Sequence, residues 1–225
     1  DTLTITEFRS DDEVKLVEKL ASFPLIGEKS DNAWSLQLTT EFDKTANQDI
    51  FEVTPSRYNL PLYEGSMIHH YDHRYALPQY YIDAEAGRTR LLGKETTDQD
   101  LAFTHYRFVH RRIGRQTDAR TLIGTIIPKY CFCDNSLNYV IPKCVPEKTM
   151  LFICAVFGSL VFDFQVRSRV NTNITIGLMK QLPLPRLDAN DSFFNSLAER
   201  AASLVCTTSD FDDLAREVGL GDHRS

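Results

Sequence analysis

Two groups of side chains in this sequence have the types and spacing to do chemistry. The first is "HHYDHR", residues 69–74, where His69, His70, Asp72 and His73 are all metal-ligand types. A catalytic zinc needs about three such side chains converging on one point, with a position left open. Adjacent histidines on an extended strand point to opposite faces, which works against convergence, and no helical His-Glu-x-x-His occurs in the chain. A metal-dependent hydrolase centred on these four residues is one reading; a hydrogen-bonded polar strand end is the plainer one. The second group is "THYRFVHRRIGRQTDARTLIGTIIP", residues 104–128, which sets five arginines and two histidines against a single aspartate. Arginine forks fit phosphates and guanine edges, glutamine can read adenine, and aspartate can accept from cytosine. Arg115, Gln116, Thr117, Asp118 and Arg120 therefore suit a duplex groove, although Asp118 serves equally well to tie down Arg120 in a turn.

Other chemistries find no motif. Cys131, Cys133 and Cys144 form no Cys-x-x-Cys pair and have no fourth ligand at finger spacing, so buried free thiols are the better reading. No Gly-x-Ser-x-Gly and no phosphate-cradling glycine loop occurs. The odd number of cysteines points to a reducing, cytoplasmic setting rather than a secreted disulfide framework. The longest apolar run, "MLFICAVFGSLVF" at 150–162, is too short to cross a bilayer and reads as a buried helix, so no membrane partner is expected. The chain opens on Asp1, which is expected of a piece of a longer protein.

The net charge of −6 hides an asymmetry. Residues 1–54 balance at −7 and residues 188–225 at −5, which leaves +6 on 55–187, mostly within 103–130. A local basic patch on an acidic frame suits a polyanion, whereas mutual neutralisation of segments is the bland alternative. A protein-interaction domain that docks an acidic partner through these arginines is a third possibility.

The elements that must position these groups follow from periodicity. Ser10 with Glu13 has capping-box spacing ahead of Val14, Leu16, Val17 and Leu20, which predicts a short amphipathic helix. Alternation in "AWSLQLTTEF" predicts a strand, and residues 61–82 read as aromatic-rich strands and turns. Residues 83–100, polar and punctuated by glycine, read as a surface loop or hairpin tip. Two strands are expected across 104–128, broken at Gly114 and stopped by Pro128. A helix follows over 150–166, then a strand in "NITIGLMKQLPLP", a helix over 191–206 with Phe193, Phe194, Leu197, Ala201, Leu204 and Val205 on one face, and a last short helix after Asp210. The class is α+β: a twisted, mostly antiparallel sheet region with flanking helices.

Three segments, "PLYEGSMIHHYDHRYA", "YRFVHRRIGRQTDARTLIGTIIP" and "FGSLVFDFQVRSRVNTNITIGLMKQLPLP", resemble in order the C-terminal part of large restriction-modification methylases, the TaqI-like C-terminal specificity or target-recognition domain. "LQLTTEFDKTANQDIFE", residues 36–52, resembles the linking stretch before it. The resemblance implies a parent enzyme that methylates the exocyclic amine of adenine in a specific duplex sequence, using S-adenosylmethionine, in some members with a nuclease and in some as phage defence. The Asn-Pro-Pro-Tyr-type tetrapeptide and the glycine-bearing cofactor motif of that activity do not occur here, so no catalytic residue and no cofactor is assigned to this chain. The implied organisation is an N-terminal helix and linker to the methyltransferase domain (1–54), a target-recognition domain (55–187) and a C-terminal helical segment (188–225). The implied partners are double-stranded DNA and that methyltransferase domain. Candidate DNA contacts are His70, His73, Arg74, Arg107, Arg111, Arg112, Arg115, Gln116, Arg120, Arg167 and Arg169. The arginines on framework strands are expected to hold the backbone, and the segment 83–100 to choose the sequence. "KYCFCDNSLNYV" is a looser match and receives no contact.

Overall fold

Apolar side chains stand on both faces of the central strands, and this double burial dictates the layering. The computed structural model describes residues 10–29, 34–92 and 101–220. Four strands, β1 (Leu38–Thr39), β4 (Arg107–Arg111), β5 (Gly124–Ile127) and β7 (Leu137–Val140), form an antiparallel sheet in the order β1-β7-β4-β5. Phe108, Ile126 and Val140 pack to one side of it, against α3 (Glu147–Phe157), α4 (Leu160–Arg167) and α6 (Ser192–Val205). Their neighbours Val109, Ile127, Leu137 and Tyr139 pack to the other side, with Tyr63, Met67 and Cys133. Those last residues belong to or follow a smaller sheet of β3 (Tyr80–Asp83), β2 (Asn59–Tyr63) and β6 (Phe132–Cys133), in which β2 and β6 run parallel and the other pair antiparallel. The outer face of the small sheet carries Leu62, Ile82 and Phe132, covered in part by Leu91 of α2 (Ala84–Leu92). The class is thus α+β, with mostly antiparallel sheets and flanking helices, as composition and periodicity imply.

Local signals explain where particular elements begin. α1 (Asp11–Ala21) starts at Ser10, whose hydroxyl accepts from the Glu13 N–H, and its first turn is acidic, which suits the helix dipole. α6 starts at Asp191, whose carboxylate accepts from the Phe193 and Phe194 N–H groups. It packs on α3 and completes the main core, so the C-terminal segment shares one interior with the sheet. Phe193 and Leu204, expected on its buried face, are exposed; Phe194, Ala198, Ala201, Ala202 and Val205 are the buried set. The chain's last described helix is α7 (Asp212–Glu217).

Four expectations are corrected. Residues 84–92 are a helix, not a loop, because the Asp83 carboxylate caps the Glu85 and Ala86 N–H groups and Gly87 lets the helix backbone lie on the Phe132 ring. Residues 93–100 of the same expected loop lie outside the described residues. The strand expected after Asn173 is instead a short helix, α5 (Ile176–Lys180), started by the Thr175 hydroxyl accepting from Leu178 N–H. Finally, 150–166 is two helices bent by 67° at Gly158–Ser159, with Ser159 capping the second. No single described helix is long and apolar enough to cross a membrane. The strand expected around Trp34 shrinks to Leu38–Thr39.

Candidate functional site

Side chains on β4 alternate between the two interiors, and this decides the fate of its arginines. Arg107 points between the sheets and is fully buried. Its guanidinium donates to Glu41 Oε2 at 2.9 Å and to the Cys131 carbonyl, and it stacks 5.0 Å from the Tyr139 ring. The same Glu41 oxygen accepts from Cys133 N–H at 2.7 Å. Arg107 therefore cannot reach a phosphate, which corrects its place among the DNA contacts. It ties β4 to the small sheet instead. Arg111, half-buried, donates to the Ile68 carbonyl at 2.6 Å, and Arg112 donates to the Asn135 carbonyl at 3.2 Å. Both retain donors that face outward or into a cleft, since a guanidinium has five N–H groups.

Beyond Gly114 the chain makes an exposed turn, residues 115–119, braced from behind by α4. Asp163 of α4 is the brace. It is buried, and one of its oxygens accepts from Thr121 N–H at 2.8 Å and Leu122 N–H at 2.9 Å. The other accepts from Arg167 at 3.0 Å, and Arg167 donates onward to the Gln116 carbonyl at 2.6 Å and the Ala119 carbonyl at 3.1 Å. Arg120 reaches across to the Gly158 carbonyl at 2.7 Å, satisfying the end of α3 at the helix break. The Gln116 amide donates to the Val170 carbonyl at 2.7 Å, and Arg169 to the Gln181 carbonyl at 2.8 Å. Gln116, Arg120, Arg167 and Arg169 thus hold irregular backbone in place. Arg115 does not: among the described residues its exposed guanidinium has no partner, and only its backbone is used, its N–H donating to Asp118 Oδ2 at 2.9 Å and its carbonyl accepting from within the turn.

Next to this turn lies an open cleft of about 530 Å³, lined by Arg111, Ile113, Arg115 and Asp118 on one wall and by Lys44, Asp134 and Asn135 on the other. The Lys44 ammonium is paired to Glu64, and the Asn135 amide to Asp43 at 2.6 Å. Ile113 is 58% exposed at the rim.

The histidine-rich segment is a tight turn, closed by reciprocal backbone bonds between His69 and Asp72 at 2.8 and 3.1 Å, with Tyr71 at a φ of 59°. Among the described residues neither ring nitrogen of His70 has a hydrogen-bond partner, and burial, helped by the Arg120 charge, pushes its imidazole down to about 4. His73 is buried edge-on to Phe211, 3.8 Å from Asp210; burial and the neighbouring Arg74 lower its basicity. These positions give neither histidine an outward face for DNA, and Asp72 and Arg74 are the exposed members of the segment. Among the described residues no three His, Cys, Asp or Glu side chains are grouped to hold a metal. The convergence that a hydrolase centred on His69, His70, Asp72 and His73 needs is therefore missing. The five cysteines are unpaired; Cys131, Cys133 and Cys154 are buried, and burial raises their thiols.

Two residues essential to this geometry, Glu41 and Asp163, escape a reading of the sequence. Asp163 had a signal: it is the lone carboxylate in the apolar stretch 150–166, four residues before Arg167. Glu41 had none, because its partner lies 66 positions away.

No family model and no curated protein matches the sequence, so the likeness to TaqI-like specificity domains stays at the level of the three quoted segments. Among solved structures, the HsdS subunit from Thermoanaerobacter tengcongensis is similar over 92% of this chain and 49% of its own, with 13% identity and a TM-score of 0.39. The chain spans about half the length of that structure.

Proposed function

We propose that this chain is the DNA sequence-recognition module of a restriction-modification adenine-specific DNA methyltransferase. On this reading it binds duplex DNA and positions the target for a catalytic domain carried elsewhere in the parent enzyme, which works in the cytoplasm as phage defence. S-adenosylmethionine is bound by that domain, and this chain contributes no catalytic residue. The observation that carries the reading is the meeting of the three family-like segments in one place. The turn that ends β4 in the second segment is held by Asp163 and Arg167 of the third. Arg111, the last residue of β4, is held by the Ile68 carbonyl of the first. An enzyme that extrudes a base needs a rigid platform to keep the duplex in register, and a braced basic turn on a two-sheet core supplies one.

The proposed DNA contacts are now Arg74, Arg111, Arg112 and Arg115, with the outward edges of Arg120, Arg167 and Arg169 beside them. The test is binding of the chain to duplexes of random sequence, recovered and sequenced after selection. A defined sequence should be enriched, and affinity should fall steeply with salt, with a slope of about 0.9 per phosphate contact on logarithmic axes. Absence of duplex binding at low salt would remove the proposal.

A further inference from the structure

The turn at 115–119 is more completely tied down than a surface connection requires. Gly114 N–H donates to the Thr172 carbonyl at 3.1 Å, and a β-carbon at Gly114 would lie 2.1 Å from the Thr121 carbonyl oxygen, so the two limbs of the turn pass in contact. The Arg115 carbonyl accepts from Asp118 N–H at 3.2 Å and from the Thr121 hydroxyl at 3.1 Å. Arg167 holds the Gln116 and Ala119 carbonyls, and Asp163 holds the Thr121 and Leu122 N–H groups. The backbone is thus bound from the protein side at nearly every position. Of the exposed side chains of this turn, Arg115 and Thr117 make no bond among the described residues, and Asp118 leaves one oxygen unused.

We infer that this turn is a preformed reading head, in which Arg115 and Asp118 contact base edges in the major groove and Asp163 is the positioning residue that fixes their aim. The inference rests on the DNA-recognition reading and sharpens it. Two features favour base edges over phosphate. First, the outward set is a donor fork beside an acceptor; a carboxylate repels a phosphate but accepts from the amine of cytosine or adenine. Second, the adjoining cleft sets Lys44, Arg111 and Arg115 against Glu64, Asp118 and Asp134, a balanced set that does not concentrate a polyanion. Fixing the backbone matters because a bidentate contact discriminates only when its geometry is held before binding.

The experiment repeats the random-duplex selection with the whole chain and with Arg115→Ala, Asp118→Ala and Asp163→Ala, and measures affinity for the selected and for a scrambled duplex. Arg115→Ala and Asp118→Ala change exposed groups and leave the fold intact. Each should lose roughly 5- to 150-fold in preference for the selected duplex, while scrambled-duplex affinity and salt slope stay at the wild-type values. The enriched sequence should relax at one or two positions only. Asp163→Ala should broaden the same positions without altering the salt slope, which mere loss of stability does not do. Equal weakening on both duplexes with a shallower slope would make Arg115 a phosphate contact and overturn the inference. So would unchanged sequence preference in Arg115→Ala and Asp118→Ala, or binding by the wild type with no preference at all. Failure of the wild type to bind any duplex overturns the DNA-recognition reading itself, and is distinct from these.

Discussion

Two buried carboxylates, each ringed by arginine and backbone N–H, do different jobs. Glu41 and Arg107 are sealed between the two sheets, with side chains about 1% and 0% exposed, and everything they touch is interior. Asp163 is as deeply buried, yet its partners Arg120 and Arg167 are a quarter to a third exposed and serve a surface turn. The first pair fixes how the layers stack. The second fixes how one turn is presented. The contrast teaches that arginine density in a sequence does not mark a binding face: the question is where the partner carboxylate sits and which side of the guanidinium remains open.

Breaking the sealed pair should have the largest effect. Glu41→Ala leaves Arg107 charged and unpaired in the interior, which costs about 3–5 kcal/mol and should appear as a large drop in the denaturant midpoint. Replacing both Glu41 and Arg107 by leucine and methionine should recover most of that loss, because the desolvation penalty disappears with the charges. Asp163→Ala should cost less, about 1–3 kcal/mol. It strands the Thr121 and Leu122 N–H groups, but Arg120 and Arg167 can turn to water. A loss from Asp163→Ala equal to that from Glu41→Ala would erase the distinction drawn here.

A third carboxylate sharpens the comparison because its partner is another acid. Burial and a hydrogen bond shared with Glu217 push the Glu147 carboxyl up to about 7. A carboxyl whose folded value is raised binds protons more tightly in the native state than when unfolded. Its contribution is present in full below about 4.5 and is lost as pH rises through about 7. The stability of wild type relative to Glu147→Gln should therefore decline between pH 5 and 7.5. The wild-type profile alone also carries the opposite, rising contribution of His70 and His73, whose lowered basicity makes their protonation below about 6.5 destabilising. A wild-type-minus-variant difference that rises over this range would contradict the pairing. The smallest effect belongs to Arg115→Ala, which should leave stability within about 0.5 kcal/mol of wild type, as expected of an exposed side chain with no partner among the described residues. A larger loss would mean that Arg115 belongs with the structural arginines.

How much of this was legible depends on the distance over which each feature is decided. Ser10, Asp191 and Thr175 cap helices through bonds within three residues; the Ser10 cap was readable from its spacing to Glu13, and the helix that Asp191 starts from its periodicity. Thr175 was misread because "ITIGLM" is β-branched and short, and only the tertiary setting selects the helix. The 83–92 stretch was misread for a related reason: glycine argues for a loop unless something large, here Phe132, needs the space above it. The alternation of Arg107 and Phe108 was visible, but a strand period says nothing about what lies beyond either face. Arginine on the inward face looked like a phosphate ligand until Glu41 arrived from another part of the chain.

The most direct test of the central claim, that this chain meets DNA through the turn braced by Asp163, is photo-cross-linking of the full chain to duplexes carrying 5-iodouracil, with the linked peptides mapped by mass spectrometry. On the selected duplex, cross-links should concentrate within residues 111–120 and fall away in Arg115→Ala, with none in peptides that carry Glu41 or Arg107. Cross-links confined to other surfaces, or undiminished in the variant, would contradict it.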